Sequence, residues 1–348
     1  MNLDLKRGAT WQPPESWQRI TTIDAHAAGE PLRVILSGWP KLAGKTILEK
    51  RRDALEHHDD LRSSLMWEPR GHADMYGCLI LPPVTEEADF GVLFMHNEGY
   101  STMCGHGIIA VVTVVVETGI LATDGPVVEV GIDTPAGLVT ATARIENGRV
   151  TSVAFRNVPS FVLHHKKIVQ VPGIGAVPYD VAFGGAFYAL VEAEQVGVTL
   201  GPESFRPLID KGMAIKRAVA ETMSIIHPTE KDLSFLYGTI FTGPPLSDGA
   251  DSRNVCIFAE GEVDRSPTGT GVSARAALEV EKGDLALGEP MVVESLIGSR
   301  FTVTAVEAAD FGSYSAIIPE VEGSASITGR HEFFIDPNDG LAKGFVLR

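Results

Sequence analysis

Short apolar runs, broken by glycine and proline, fill most of the chain and predict a protein rich in β-strand. Before residue 172 they fall at Leu32–Leu36, Tyr76–Leu81, Gly91–Met95, Val127–Val130, Leu138–Ile145, Val150–Asn157 and Phe161–Val171. Beyond it they fall at Tyr179–Ala182, Phe187–Val191, Tyr237–Phe241, Arg253–Phe258, Met291–Glu294, Phe301–Ala309 and Ser313–Pro319. These runs are rich in Val, Ile, Phe and Thr, which suit a pleated, half-buried surface, and turn formers bound them. Helical spacing is rarer. It appears over Thr46–His57 and Phe205–Glu221, and two more helices are predicted directly after glycine pairs, at Ile108–Thr118 and Val272–Lys282. Ile108–Val116 is β-branched enough to be a buried strand. Its place after Gly105-x-Gly107, and its end at Glu117-Thr118-Gly119, favour a buried helix with a glycine stop.

The glycine pairs belong to a repeat. Cys104-Gly105-His106-Gly107-Ile108-Ile109-Ala110 and Thr268-Gly269-Thr270-Gly271-Val272-Ser273-Ala274 both read X-Gly-x-Gly-aliphatic-x-Ala, 164 residues apart (268 − 104). Strands, a central helix and more strands therefore occur twice. This predicts an α+β protein of two like halves, each turning one glycine-rich loop toward a shared site. The turn-rich stretch Pro172–Pro178 marks the expected boundary. On that division residues 20–172 carry the Cys104 motif and residues 173–325 the Thr268 motif, with segment 326–348 completing the N-terminal half.

A chain of 348 residues can build two full-sized cores, and 44% hydrophobic with 21% charged residues is an ordinary globular balance. A net charge of −16, with no run of basic residues, argues against nucleic acid as a partner. Met1 to Arg19 lacks an apolar signal region. The longest apolar run, Ile108–Val116, is too short to span a bilayer, so no membrane partner is expected. Three cysteines cannot complete a disulfide framework, which points to a reducing setting such as the cytoplasm.

Cys78 and Cys256 lie inside apolar strand patterns and read as core. Cys104 differs, being flanked by Thr102, Gly105, His106 and Gly107. A helix starting at Gly105 would point free N–H groups and its dipole at Cys104 and favour a thiolate there, with His106 placed to hold or orient it. Gly105-x-Gly107-x-x-Ala110 also fits a dinucleotide-binding fingerprint. However, the segment 96–102 separates it from the preceding strand, and it recurs at Gly269, which one nucleotide would not need. Cys104-x-His106 and His26 with Glu30 are conceivable zinc ligands, but no spacing completes a set, so no metal is expected. Asp264, four residues before Thr268, is either a turn or cap residue or a carboxylate for a ligand ammonium. The sequence leaves both open.

Two helix N-termini facing one cavity make a carboxylate site, which also stabilises charge formed as an adjacent Cα proton leaves. A thiolate there can act as base. Two opposed thiols would invert the carbon; this chain has one thiol and Thr268.

Met103-Cys104-Gly105-His106-Gly107 and Asp264-Arg265-Ser266-Pro267-Thr268-Gly269-Thr270-Gly271 resemble the two signatures of the proline racemase family. Supporting matches are Asp24-Ala25-His26 with Gly29-Glu30-Pro31, Asn157–Phe161, Gly184–Tyr188 and Phe241–Pro245, so the resemblance runs from about residue 20 to the C-terminus. It implies a diaminopimelate epimerase-like fold, two pseudo-symmetric halves each with a curved sheet around a central helix. It implies Cys104 as base, Thr268 opposite it, and Gly105, His106, Asp264, Gly269 and Thr270 against the substrate, with no cofactor. Racemases and 4-hydroxyproline 2-epimerases of the family carry a second cysteine where this chain has Thr268, whereas trans-3-hydroxy-L-proline dehydratases carry threonine. The expected activity is therefore dehydration of trans-3-hydroxy-L-proline. Epimerase or racemase activity, or non-catalytic binding of a proline analogue, are the alternatives. Ala27-Ala28 replaces a frequent Thr-Gly, and Ala186 a frequent Asn of the racemases. The expected partner is a small amino acid, hydroxyproline; a homodimer is left open.

Overall fold

The computed structural model describes residues 3–347. Its strands are laid down twice in one pattern. Gln18–Ala27 pairs antiparallel with Glu30–Ser37 on one side and with Ala325–Ile335 on the other. Glu30–Ser37 then runs parallel to Tyr76–Leu81, which pairs antiparallel with Phe90–His96. Phe90–His96 is parallel to Val127–Thr134, and a meander through Gly137–Glu146 to Arg149–Arg156 follows.

The second round repeats each sense. Gly175–Phe183 lies antiparallel between Ser160–Val171 and Phe187–Glu192. Phe187–Glu192 is parallel to Leu236–Gly243, which is antiparallel to Ser252–Phe258. That strand is parallel to Pro290–Glu294, and the meander continues through Arg300–Phe311 to Tyr314–Gly323. Tyr314–Gly323 also pairs with Arg149–Arg156 and with Ser160–Val171, joining the two sheets.

Parallel neighbours need a crossover, and each round supplies two. Helices Ile47–His57 and Asp59–Met66 fill the first crossover of round one, and Phe205–Thr222 that of round two. The second crossovers are Gly105–Glu117 and Gly269–Lys282, the helices behind the repeated motifs. From Gly105 through Val116 every residue is buried, which explains the β-branched run: a helix enclosed by sheet is apolar on all sides. Both helices stop at a left-handed glycine, Gly119 (φ +70°) after the first and Gly283 (φ +80°) after the second. A capping box between Thr46 and Glu49 starts Ile47–His57.

The strands and helices expected from the sequence are present, most a residue or two longer. Two long strands and two helices, Lys6–Ala9 and Asp59–Met66, were not expected. Gln18–Ala27 carries Arg19, Thr21, Thr22, Asp24 and His26, and Ala325–Ile335 alternates half-buried with exposed polar residues. Each is held in place by the other across ten paired residues rather than by apolar content. Asp59–Met66 escaped notice because it follows the preceding helix with only His58 between them. The Pro172–Pro178 stretch turns a hairpin, with Val171 opposite Gly175.

Candidate active site

The N-termini of the Gly105–Glu117 and Gly269–Lys282 helices meet backbone to backbone. A Cβ on Gly105 would fall onto Gly269 Cα, and one on Gly269 onto Gly105 Cα, so only glycine permits the approach. Cys104 is the N-cap of the first helix, in extended conformation, and its sulfur accepts from the Gly107 N–H at 3.3 Å. Thr268 caps the second in a left-handed conformation (φ +69°) that threonine adopts only under constraint. Its N–H donates to Ser266 Oγ at 3.1 Å. Cys104 and Thr268 thus stand at equivalent places on either side of the contact, and both line one cavity of about 20 Å³.

The remaining expected site residues join them there: Gly105, His106, Asp264, Gly269 and Thr270 all line the cavity. His106 Nδ1 is 3.2 Å from Cys104 Sγ. Thr270 Oγ1 bonds the Tyr188 hydroxyl at 2.6 Å. Asp264 Oδ1 accepts from the Ser266 N–H at 2.8 Å, so it serves as a turn residue and a cavity wall at once. Beneath it, Arg265 ties the halves together, its N–H donating to Glu30 Oε2 at 2.6 Å and its guanidinium to Asp74 at 2.8 Å. The buried Thr268 hydroxyl has no hydrogen-bond partner at ordinary geometry among the described residues.

Burial decides the electrostatics. It pushes the Cys104 thiol well above the usual thiol range; the Gly107 N–H and the Tyr76 phenol oppose this, while Asp264 and Glu30 add to it. The helix terminus therefore acts in the expected direction, through the Gly107 N–H, against the larger effect of burial. Burial also lowers His106, against Asp264 and the Pro31 carbonyl, so the imidazole is neutral and orients the sulfur without a charge. Glu30 is raised by burial first and by Asp264 second.

Sequence reasoning missed part of the wall. Cys256, expected in the core, is fully buried but lines the cavity, and its thiol is a hydrogen-bonding neighbour of the Thr268 hydroxyl. Cys78 is core as expected. Tyr76, Tyr188 and Tyr237 also face the cavity. A signal for two of these existed: Tyr76-Gly77 and Tyr237-Gly238 lie at the starts of corresponding strands in the two rounds.

Two like halves, each a sheet around a buried helix whose N-terminus reaches a shared cavity, define the diaminopimelate epimerase-like class of fold. The match is closer than class: the chain belongs to the proline racemase family, whose model matches residues 22–346. It is 48% identical over 341 residues to the trans-3-hydroxy-L-proline dehydratase of Colwellia psychrerythraea, covering 97% of this chain and 96% of that protein. The human trans-3-hydroxy-L-proline dehydratase is 44% identical over 340 residues, covering 94% and 95%. A hydroxyproline epimerase from Agrobacterium vitis, solved with bound trans-4-hydroxy-L-proline, superposes with a TM-score of 0.91 at 32% identity, covering 95% of this chain and 96% of that one.

Proposed function

We propose that this protein is a trans-3-hydroxy-L-proline dehydratase in which Cys104 is the base. One observation carries the reading: two equivalent helix N-termini face one cavity, and only one of them bears a thiol. The paired N-termini suit the substrate carboxylate, and Asp264 suits its ammonium. The Thr268 hydroxyl lines the cavity beside the Cys256 thiol and is placed to donate to the ligand. A bound ammonium beside Cys104 favours the thiolate and offsets the burial that raises the thiol.

In trans-3-hydroxy-L-proline the Cα hydrogen and the 3-hydroxyl lie on the same ring face. Cys104 takes the proton, the hydroxyl leaves from that side, and the enamine tautomerises to Δ1-pyrroline-2-carboxylate. One catalytic face suffices. Thr268 is no substitute for a second thiolate, because an alcohol stays protonated near neutrality without a base to activate it. Gly105, His106, Gly269 and Thr270 shape and orient the site, and this chemistry draws on the chain's own residues alone. We place the protein in the cytoplasm, where its thiols stay reduced; among the described residues no helix is long and apolar enough to cross a membrane. Homodimerisation is a separate proposal that light scattering tests. We divide the chain by strand pairing, with residues 160–323 as one half and residues 18–156 with 325–335 as the other.

Proton NMR in D2O tests the reading. Trans-3-hydroxy-L-proline should disappear with formation of pyrroline carboxylate, and trans-4-hydroxy-L-proline should persist without C2 inversion. Conversion of the 4-hydroxy compound to its epimer as the main activity would replace the dehydratase by an epimerase. Turnover of neither would leave a binder.

A further inference from the structure

A chain of three hydroxyls crosses the cavity wall from the Cys104 side. Tyr76 packs edge-on against His106 with ring centroids 4.7 Å apart, and His106 in turn touches the Cys104 sulfur. The Tyr76 phenol lines the same cavity as that sulfur and acts on it electrostatically. On its other side it bonds Ser101 Oγ, and Ser101 Oγ bonds the Tyr237 hydroxyl at 3.0 Å. Both phenols line the cavity, while Ser101 is buried behind them. Each hydroxyl both donates and accepts, so the row can pass a proton from end to end. Tyr76 and Ser101 come from the first round of strands and Tyr237 from the second, so the row is complete only when the halves meet.

Hydroxide is a poor leaving group and needs an acid as C3–O breaks. The Cys104 sulfur is placed for Cα and holds the proton it took there, so the row offers a second group for the 3-oxygen. His106 is committed to the Cys104 sulfur and the Pro31 carbonyl. We propose that the Tyr76–Ser101–Tyr237 row returns the proton taken by Cys104 to the departing 3-hydroxyl, with Tyr237 as the donor that touches it. This rests on the dehydratase reading above.

The step balances without another reactant. The Cα–H bond breaks and its proton goes to Cys104 Sγ. In a second step the electron pair left at Cα, held as an enolate by the paired helix N-termini, forms the C2–C3 double bond as C3–O breaks, and Tyr237 gives its proton to the leaving oxygen, releasing water. Ser101 reprotonates Tyr237, Tyr76 reprotonates Ser101, and Cys104 passes its proton to Tyr76 and is a thiolate again. Ser101 touches no substrate and acts as a positioning and relay residue.

Ser101→Ala and Tyr237→Phe, each incubated with trans-3-hydroxy-L-proline in D2O, test this. Pyrroline formation should fall by about 10²-fold, the ordinary contribution of a positioned acid. The recovered substrate should gain deuterium at Cα at a rate close to wild-type deprotonation, which also shows that the variants are folded. Ser101→Thr, which keeps the hydroxyl, should restore most of the dehydration. Dehydration at the wild-type rate in either variant overturns the relay while leaving the dehydratase intact. Loss of Cα exchange in step with dehydration also overturns it, since the row would then serve binding or the base. A wild-type protein that leaves the compound unchanged removes both readings together.

Discussion

Cys104 must lose its proton to act as the proposed base, and its burial opposes that. Burial raises the thiol while the Gly107 N–H lowers it, and burial wins. In the free protein the reactive thiolate is therefore scarce at neutral pH and grows as pH rises through and above the ordinary thiol range. The expected pH profile of kcat/KM climbs on the alkaline side, while that of kcat, which reports the bound state, climbs at lower pH. Profiles with coincident limbs would contradict a ligand-assisted thiolate. Cys104→Ala should lower dehydration by about 10³-fold or more and abolish Cα exchange. Thr268→Cys should gain measurable C2 epimerisation of trans-4-hydroxy-L-proline by NMR, because it adds a thiol on the second face. Cys104 was legible in the sequence through its polar, glycine-rich flanks. Tyr76 and Tyr237 were not, because a tyrosine opening an apolar strand reads as core. Only comparison of the two rounds sets their shared Tyr-Gly apart. Cys256 is core as its apolar pattern says, and the same pattern hides that its strand also passes behind the site.

Among the elements, the two central helices do most to place the chemistry. Their N-termini touch through Gly105 and Gly269, where a single Cβ cannot fit. Gly105→Ala should force the termini apart, at a cost of about 1–3 kcal/mol in unfolding free energy, and should lower activity far more than that loss of stability explains. Denaturant unfolding beside a dehydration assay separates the two effects. Glu30 is the second element-level test, lying between the strand it starts and the Arg265 loop. Its carboxyl is raised well above the usual carboxylate range, chiefly by burial. A raised acid favours its protonated form in the folded state, so its contribution is full below the ordinary glutamate pKa and is lost as pH rises through the folded value. Glu30→Gln should therefore become more stable relative to wild type as pH rises from acid toward neutral, measured as the difference in Tm. The helices were legible because glycine pairs and apolar runs mark them. The strands Gln18–Ala27 and Ala325–Ile335 were not, because their polar sequences depend on a partner some 300 residues away (325 − 18 = 307).

At the scale of the molecule, duplication makes one cavity out of two half-sites, and the closed cavity is smaller than the proposed substrate. About 20 Å³ holds little more than one water, and Cys104, Thr268, His106 and Asp264 are all nearly inaccessible. A hydroxyproline is therefore expected to enter by parting the cavity walls, and its binding to draw them together. The two-half plan was readable from the repeated motif. For the join we propose the division by strand pairing, since the turn-rich Pro172–Pro178 stretch forms a hairpin. The most direct measurement is the NMR time course of trans-3-hydroxy-L-proline with wild type and Cys104→Ala in D2O. The expected result is conversion to pyrroline carboxylate by the wild type, and neither conversion nor Cα deuteration by the variant. Dehydration by Cys104→Ala at close to the wild-type rate would contradict the one-thiol mechanism.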